Sequence, residues 1–327
     1  MSSKGLVLVT GANGFVAGRT VAHFLQAGYT VRGTVRSRKS ADGLVAALSD
    51  YIKNRLLKIV EVPDITVSGA FDSALEGVTD VAHLATPVSV TDTDVVGIYL
   101  AALQGTLSIL DPTLRHAGIK SFVFMSSLAA VISYSQPRTY TEADWHDESV
   151  EIVDKQGAAA GGLMVYTASK VKAERVFWYI AGPPLFLPKS PEKIATTNAF
   201  IWQVFSGQYY PAGPTGYGHH VNVRDGARLQ VFVVESPEVL NGQRIIVGGR
   251  TAFGVPQAVA DILREAYPDR KHIIKEGTPG QDCSPSGESV AGWADLGSSK
   301  AVKATGQDWI LYKKMVFDAA KMFERFL

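Results

Sequence analysis

The stretch Leu6-Val-Leu-Val-Thr-Gly-Ala-Asn-Gly-Phe-Val-Ala-Gly18 constrains the fold more than any other part of the chain. An unbroken apolar run without alternation describes a strand buried on both faces, the habit of parallel sheets. Gly11 then permits a tight turn, Gly14 lets backbone approach a ligand closely, and Ala17 is small enough for a helix to pack on the strand. That helix would begin with its amide groups directed at whatever lies above the turn, a ready seat for a phosphate. A glycine turn is common in α/β proteins; its place in the first strand–helix unit is the context that gives it meaning.

The pattern recurs. Near-continuous apolar runs predict strands at Leu6–Thr10, Thr30–Val35, Leu57–Val62, Val78–Leu84 and Ser121–Met125. Between them, apolar residues fall at helical spacing, as in Val16, Thr20, Val21, Phe24 and Leu25. A helix is expected after Thr91–Asp94, running to about His116 and closed by Gly118. This alternation predicts an α/β fold: a doubly wound parallel sheet of the dinucleotide-binding (Rossmann) kind, with helices on both faces. Beyond residue 181 turns rich in Gly and Pro take over, and the sequence predicts a strand at Arg244–Val247 and helices at Val255–Ala266 and Tyr312–Leu327. The expected organisation is a dinucleotide-binding domain of residues 1–184 and 221–250. Residues 185–220 and 251–327 are expected to form a smaller C-terminal substrate lobe.

Composition narrows the function. The chain has 327 residues with a formal net charge of +1, which disfavours a dedicated nucleic-acid binder. Its single cysteine, Cys283, excludes an internal disulfide framework and suggests a reducing, cytoplasmic setting. No C-x-x-C or H-x-x-x-H spacing suggests a metal, and no apolar run approaches the roughly 18 residues a membrane span needs. The apolar stretch at the N-terminus is too short for a secretory leader.

Which dinucleotide is decided after the second strand. An acidic residue there would hold a ribose hydroxyl and repel a 2′-phosphate. This chain reads Gly33-Thr-Val-Arg36-Ser-Arg38-Lys39, with no carboxylate before Asp42. A guanidinium fork and an ammonium suit phosphate oxygens, so NADP(H) is expected rather than NAD(H).

Tyr166 and Lys170 stand four residues apart, on one face of a helix. A second pair of the same spacing, Tyr267 and Lys271, spans a proline at a predicted helix end, so its members need not share a face. The first pair has better company: a buried strand ends in Phe124-Met-Ser-Ser127, which places a hydroxyl at the carboxyl edge of the sheet, where such folds bind ligands. Reduction of a carbonyl needs a proton for the new alkoxide, and a phenol is a poor donor near neutrality unless a cation stabilises its phenolate. Lys170 would do that while Ser127 steadies the carbonyl oxygen.

With these residues in view, the chain resembles the extended short-chain dehydrogenase/reductases, in the dihydroflavonol-reductase-like branch with the fungal and yeast NADPH-dependent aldehyde and ketone reductases. The motifs that carry the likeness are Thr10-Gly-Ala-Asn-Gly-Phe15, His83-Leu-Ala-Thr-Pro87, Phe124-Met-Ser-Ser127, Tyr166-x-x-x-Lys170 and Val221-Asn-Val-Arg-Asp225, with the acidic loop Thr141–Asp147 between serine and tyrosine. The resemblance implies a catalytic triad of Ser127, Tyr166 and Lys170. It implies that Gly11, Asn13, Gly14, Phe15 and Val16 line the pyrophosphate, and that Arg36 and Lys39 meet the 2′-phosphate. Asp64 and Ile65 would contact the adenine, while Leu84, Ala85, Thr86 and Pro184 would lie by the ribose and nicotinamide. The activity implied is reduction of a small-molecule carbonyl substrate with NADP(H). Oxidation or epimerisation of a hydroxyl-bearing substrate, or a non-enzymatic NADP-binding regulator, are the alternatives, and oligomeric state is left open.

One segment departs from the family pattern. Relatives follow the Tyr/Lys helix with another parallel strand and then a proline-rich turn. Here either the helix reaches Ile180 and the strand is missing, or Arg175-Val-Phe-Trp-Tyr-Ile180, rich in β-formers, leaves the helix early and serves as that strand. Among other features, Trp145, Phe186, Trp202, Phe205, Tyr209 and Tyr210 are candidates for a substrate pocket, with helix core the stronger expectation for Trp202 and Phe205. His219-His220 reads as a polar loop, Arg224-Asp225 as internal ion pairing, and Cys283 as an inert thiol.

Overall fold

The computed structural model describes residues 3–85, 94–133, 138–173, 179–181, 183–208, 220–248, 256–277 and 295–327. They divide into two compact units: residues 1–133, 142–177 and 230–244 in the first, residues 134–141, 178–229 and 245–327 in the second.

The first unit is built on a five-stranded sheet of β1 (Leu6–Val9), β2 (Thr30–Val35), β3 (Leu57–Glu61), β4 (Asp80–His83) and β5 (Ser121–Phe124). Every ladder is parallel and the spatial order is β3-β2-β1-β4-β5, so the sheet is doubly wound as expected. The five strands lie within two residues of their predicted bounds. Strands covered on both faces carry little but apolar residues, which made them readable. Val7, Leu8, Val9, Val31 and Val81 are fully buried. Strand order reverses between β1 and β4, so the turn after β1 opens at the switch point where ligands of such sheets bind.

Helices close the sheet by local chemistry. The helix Phe15–Gln26 buries Val21, Phe24 and Leu25 and ends at Gly28, whose φ of +92° only glycine adopts without strain. The helix Val95–Arg115 starts where the Asp94 side chain accepts the Gly97 amide at 3.0 Å. Leu8, Phe71, Leu75, Val81 and Ile109 form the core between sheet and helices.

The second unit holds two short parallel pairs. β6 (Thr139–Tyr140) pairs with β9 (Asp295–Leu296), and β7 (Tyr179–Ala181) pairs with β8 (His220–Asn222). β7 settles the open alternative after the Tyr/Lys helix: that helix is described as far as Ala173 and Tyr179–Ala181 is extended, so the helix does not reach Ile180, while residues 174–178 lie outside the described residues. The core here is Phe200, Trp202 and Phe205 on the helix Thr196–Phe205, packed with Leu263 of the helix Pro256–Ala266 and with Tyr312, Met315 and Phe323 of the helix Tyr312–Phe323. The strand expected at Arg244–Val247 is not formed; the backbone there is irregular, although Ile246 is fully buried. Its arginine is committed elsewhere, to the carbonyls of Glu142 and Asp144. Among the described residues no helix is long and apolar enough to cross a membrane.

Candidate active site

The turn after β1 is shaped by close backbone approach. Gly11 takes φ +64°, and a Cβ on it would come within 3.2 Å of the Ala85 Cα. The Gly14 amide donates back to the Gly11 carbonyl at 2.7 Å, and Gly14 caps the helix that Phe15 and Val16 begin. No side chain caps this helix and its first turn holds no acidic residue, so its positive end is left unneutralised by its own sequence. Asn13 Nδ2 donates to the Ser40 carbonyl at 3.3 Å, tying the glycine turn to the basic turn after β2.

In that basic turn Arg36, Arg38 and Lys39 are exposed. The nearby Glu61 carboxylate accepts the Arg38 amide. Asp64, after β3, is exposed; its carboxylate accepts the Thr66 amide at 2.8 Å and the Thr66 hydroxyl at 2.7 Å. Those bonds hold its pKa below the usual carboxylate value, and the Arg36 charge adds to the effect. The structure thus brings Arg36 and Asp64 within electrostatic reach. Ile65 packs against the sheet core, and its carbonyl accepts the Ser108 hydroxyl at 2.5 Å.

Leu84 and Ala85 follow β4, where sequence reading missed a small network. The Thr10 hydroxyl accepts the amides of Leu84 (2.9 Å) and Ala85 (2.8 Å), so its own hydrogen goes to His83 Nδ1 at 2.9 Å. His83 lies among the rings of Phe71, Phe122 and Phe124. Burial, reinforced by the Lys170 charge, pushes its pKa down to about 3 and keeps the ring neutral with the proton on Nε2. Thr10 and His83 each stand in a quoted motif, but nothing in one sequence says that they touch. Thr86 lies outside the described residues.

Ser127, Tyr166 and Lys170 come together. Ser127 follows β5, and Tyr166 and Lys170 share the helix Gly162–Ala173. Their exposures are 0%, 3% and 2%, so the cluster is withdrawn from water. Lys170 Nζ lies 5.5 Å from the centre of the Tyr166 ring. Burial lowers the Lys170 pKa to about 8. Burial also raises the Tyr166 phenol, with the adjacent Ser127 hydroxyl acting in the opposite direction. The sequence led us to expect a phenol made acidic by the neighbouring ammonium. In the structure loss of water outweighs that effect, because both charged forms are desolvated together.

Pro184 is buried in the second unit. Trp202 and Phe205 are core, with Trp202 edge-on to Phe323 and Phe326 and Phe205 4.8 Å from Tyr267. Trp145 lies under the Arg244 guanidinium at 3.9 Å, and Phe186 is half-buried. Arg224 pairs with Asp318 at 2.5 Å and Asp225 with Arg228 at 2.9 Å, so each is internally paired but not to the other. Tyr209, Tyr210, His219 and Cys283 lie outside the described residues. Among the described residues no group of three or more His, Cys, Asp or Glu is placed to hold a metal ion.

A parallel sheet in the order 3-2-1-4-5, with a glycine turn opening at its switch point, is the architecture of a dinucleotide-binding α/β protein. The chain belongs to the NAD dependent epimerase/dehydratase family, whose pattern matches residues 7–181. It is 33% identical to an uncharacterized oxidoreductase of Schizosaccharomyces pombe, over 84% of this chain and 86% of that one. It is 27% identical to the NADPH-dependent methylglyoxal reductase of Saccharomyces cerevisiae, over 98% of both. That alignment runs over 352 positions against 327 residues here, so the relative carries segments that this chain lacks. The crystal structure of yeast methylglyoxal/isovaleraldehyde reductase complexed with NADPH superposes with a TM-score of 0.82 at 26% identity, covering 98% of this chain and 100% of that one.

Proposed function

We propose that this chain is an NADPH-dependent carbonyl reductase that converts an aldehyde or ketone to an alcohol, with Tyr166 as general acid. The observation that carries the reading is the buried Ser127–Tyr166–Lys170 cluster at the sheet edge where the glycine turn also opens. Relatives whose names specify methylglyoxal or aldehydes support it.

The residues present fit the cofactor. Gly11 keeps its backbone bare against Ala85, the helix beginning at Phe15 offers an uncapped positive end, and the exposed Arg36, Arg38 and Lys39 suit a 2′-phosphate. Asp64 and Ile65 are assigned to the adenine, and Leu84, Ala85, Thr86 and Pro184 to the ribose and nicotinamide side. Bound NADPH supplies the hydride. Ser127 donates a hydrogen bond to the substrate oxygen and holds it at the phenol. Tyr166 gives its phenolic hydrogen to the alkoxide: its O–H bond breaks as that of the alcohol forms. The phenolate left behind is stabilised by the Lys170 ammonium until a solvent proton replaces it. Residues 185–220 and 251–327 are assigned to substrate choice, and the absence of a disulfide framework suits a cytoplasmic setting.

The test is NADPH consumption with a carbonyl panel that begins with methylglyoxal and branched aldehydes. Wild type is expected to turn over and Tyr166→Phe to fail; equal rates would end the mechanism. Replacing Arg36 with Ser should weaken NADPH binding ~10-fold or more while leaving NADH binding unchanged.

A further inference from the structure

Ser127 sits where regular structure has already ended. β5 stops at Phe124, and Ser127 leads into a single 3-10 turn, Leu128–Ala130, whose Ala130 amide donates to the Ser127 carbonyl at 3.0 Å. One such turn is a weak support for a hydroxyl that must meet a substrate oxygen in one orientation.

The support comes from the acidic loop. The His146 amide donates to the Ala130 carbonyl at 2.7 Å, and the His146 ring Nδ1 lies 3.0 Å from the Ala129 carbonyl. A carbonyl only accepts, so Nδ1 carries the proton and donates. His146 is 8% exposed. It is itself held from both sides. Its carbonyl accepts the Ser149 amide at 3.1 Å and the Ser149 hydroxyl at 2.7 Å, at the start of the helix Asp147–Gln156, and Ser133 donates to Glu148 in that helix at 2.9 Å. On the preceding side the Arg244 guanidinium donates to the carbonyls of Glu142 and, at 3.0 Å, Asp144, while it covers the Trp145 ring.

We infer that His146 is a positioning residue for Ser127: its Nδ1–H bond to the Ala129 carbonyl fixes the turn that aims the Ser127 hydroxyl at the Tyr166 phenol. The inference rests on the role proposed above for Ser127. A displacement of about 1 Å at a reacting group costs on the order of 100-fold in rate, so a single bond behind the serine is enough to matter.

The experiment is a double-mutant cycle with a rescue. His146→Leu keeps apolar volume and loses the donor; His146→Asn places an amide nitrogen at the position of Nδ1. His146→Leu is expected to lower kcat ~10- to 100-fold with KM for NADPH unchanged, and His146→Asn to recover most of the loss. In a Ser127→Ala background, His146→Leu should cost almost nothing more, because its effect passes through that hydroxyl. An equal loss in both backgrounds, no recovery in His146→Asn at matched melting temperature, or a parallel rise in KM for NADPH overturns the inference. If the wild type itself reduces no carbonyl, the functional reading fails instead. A crystal structure of His146→Leu then decides the geometry alone: Ser127 Oγ swung away from the phenol upholds the positioning role, and an unmoved Ser127 ends it.

Discussion

Two tyrosine–lysine pairs of identical spacing have opposite fates in this chain. Tyr166 and Lys170 lie inside one continuous helix, both buried, with the cation 5.5 Å from the ring centre and a serine hydroxyl alongside. Tyr267 closes the helix Pro256–Ala266, and Pro268 starts a 3-10 turn that carries Lys271 out to solvent. The Tyr267 hydroxyl donates to the Glu324 carboxylate at 2.8 Å. Burial raises both phenols, yet Tyr267 is raised further by a carboxylate that penalises its anion, whereas Tyr166 has a hydroxyl that stabilises one. A four-residue interval therefore means nothing by itself. Helical continuity puts the pair on one face, and burial with the right neighbours turns the face into a site.

The largest contrast should be in turnover. Tyr166→Phe is expected to lower kcat by ~100-fold or more, the usual worth of a positioned proton donor, while Tyr267→Phe stays within about twofold of wild type. Comparable losses in the two variants, measured by NADPH oxidation, would erase the distinction drawn between the pairs.

The lysines should differ next, and in two directions at once. Lys170→Met is expected to cost roughly 10- to 100-fold in kcat and to stabilise the fold, while Lys271→Met changes neither. The sign follows from linkage. Lys170 has a pKa of about 8 in the folded chain, below the ordinary 10.5, so between those values the unfolded chain binds more protons. Wild-type stability should thus rise with pH through that window, and below about 8 the fold carries the full cost of a buried ammonium, roughly 3 kcal/mol. Urea titration of Lys170→Met at neutral pH should recover part of it; a less stable variant would show that the ammonium is well solvated by its neighbours.

A pH profile sharpens the same point. The ammonium form of Lys170 stabilises the phenolate, so reductive kcat should fall as pH rises through about 8. Lys170→Arg, permanently charged, should move that limb out of range if it remains active; an unchanged limb would assign the titration to another group.

The same logic explains what the sequence disclosed. Parallel strands buried on both faces must be nearly all apolar, so β1 to β5 were legible to within two residues, and the glycine turn came with them. The triad residues were legible because each belongs to a short local pattern, Ser127 just past the end of a buried strand and Tyr166 with Lys170 one turn apart within a helix. The segment around Arg244 was not: Ile245-Ile246-Val247 reads as a strand, but Arg244 spends its donors on carbonyls a hundred residues earlier and the backbone stays irregular. His146 and the Thr10–His83 bond were hidden for the same reason. A lone histidine carries no periodic signal, and its worth lies in partners that only the fold supplies. β7 was undecidable because Arg175–Ile180 suits helix and strand alike.

The smallest effect tests the second pair on its own terms. If Tyr267 is structural, its value is the bond to Glu324, which joins the end of the helix Pro256–Ala266 to the final turn Glu324–Phe326. Tyr267→Phe keeps the ring against Phe205 and Phe317 and removes only the hydroxyl, so stability should drop by about 1 kcal/mol in urea denaturation, with kcat untouched. Glu324→Gln should cost less than the tyrosine change, since an amide oxygen still accepts the phenolic hydrogen. Were Tyr267→Phe to slow turnover instead, the second pair would have to be readmitted to the chemistry, and spacing alone would have been the better guide.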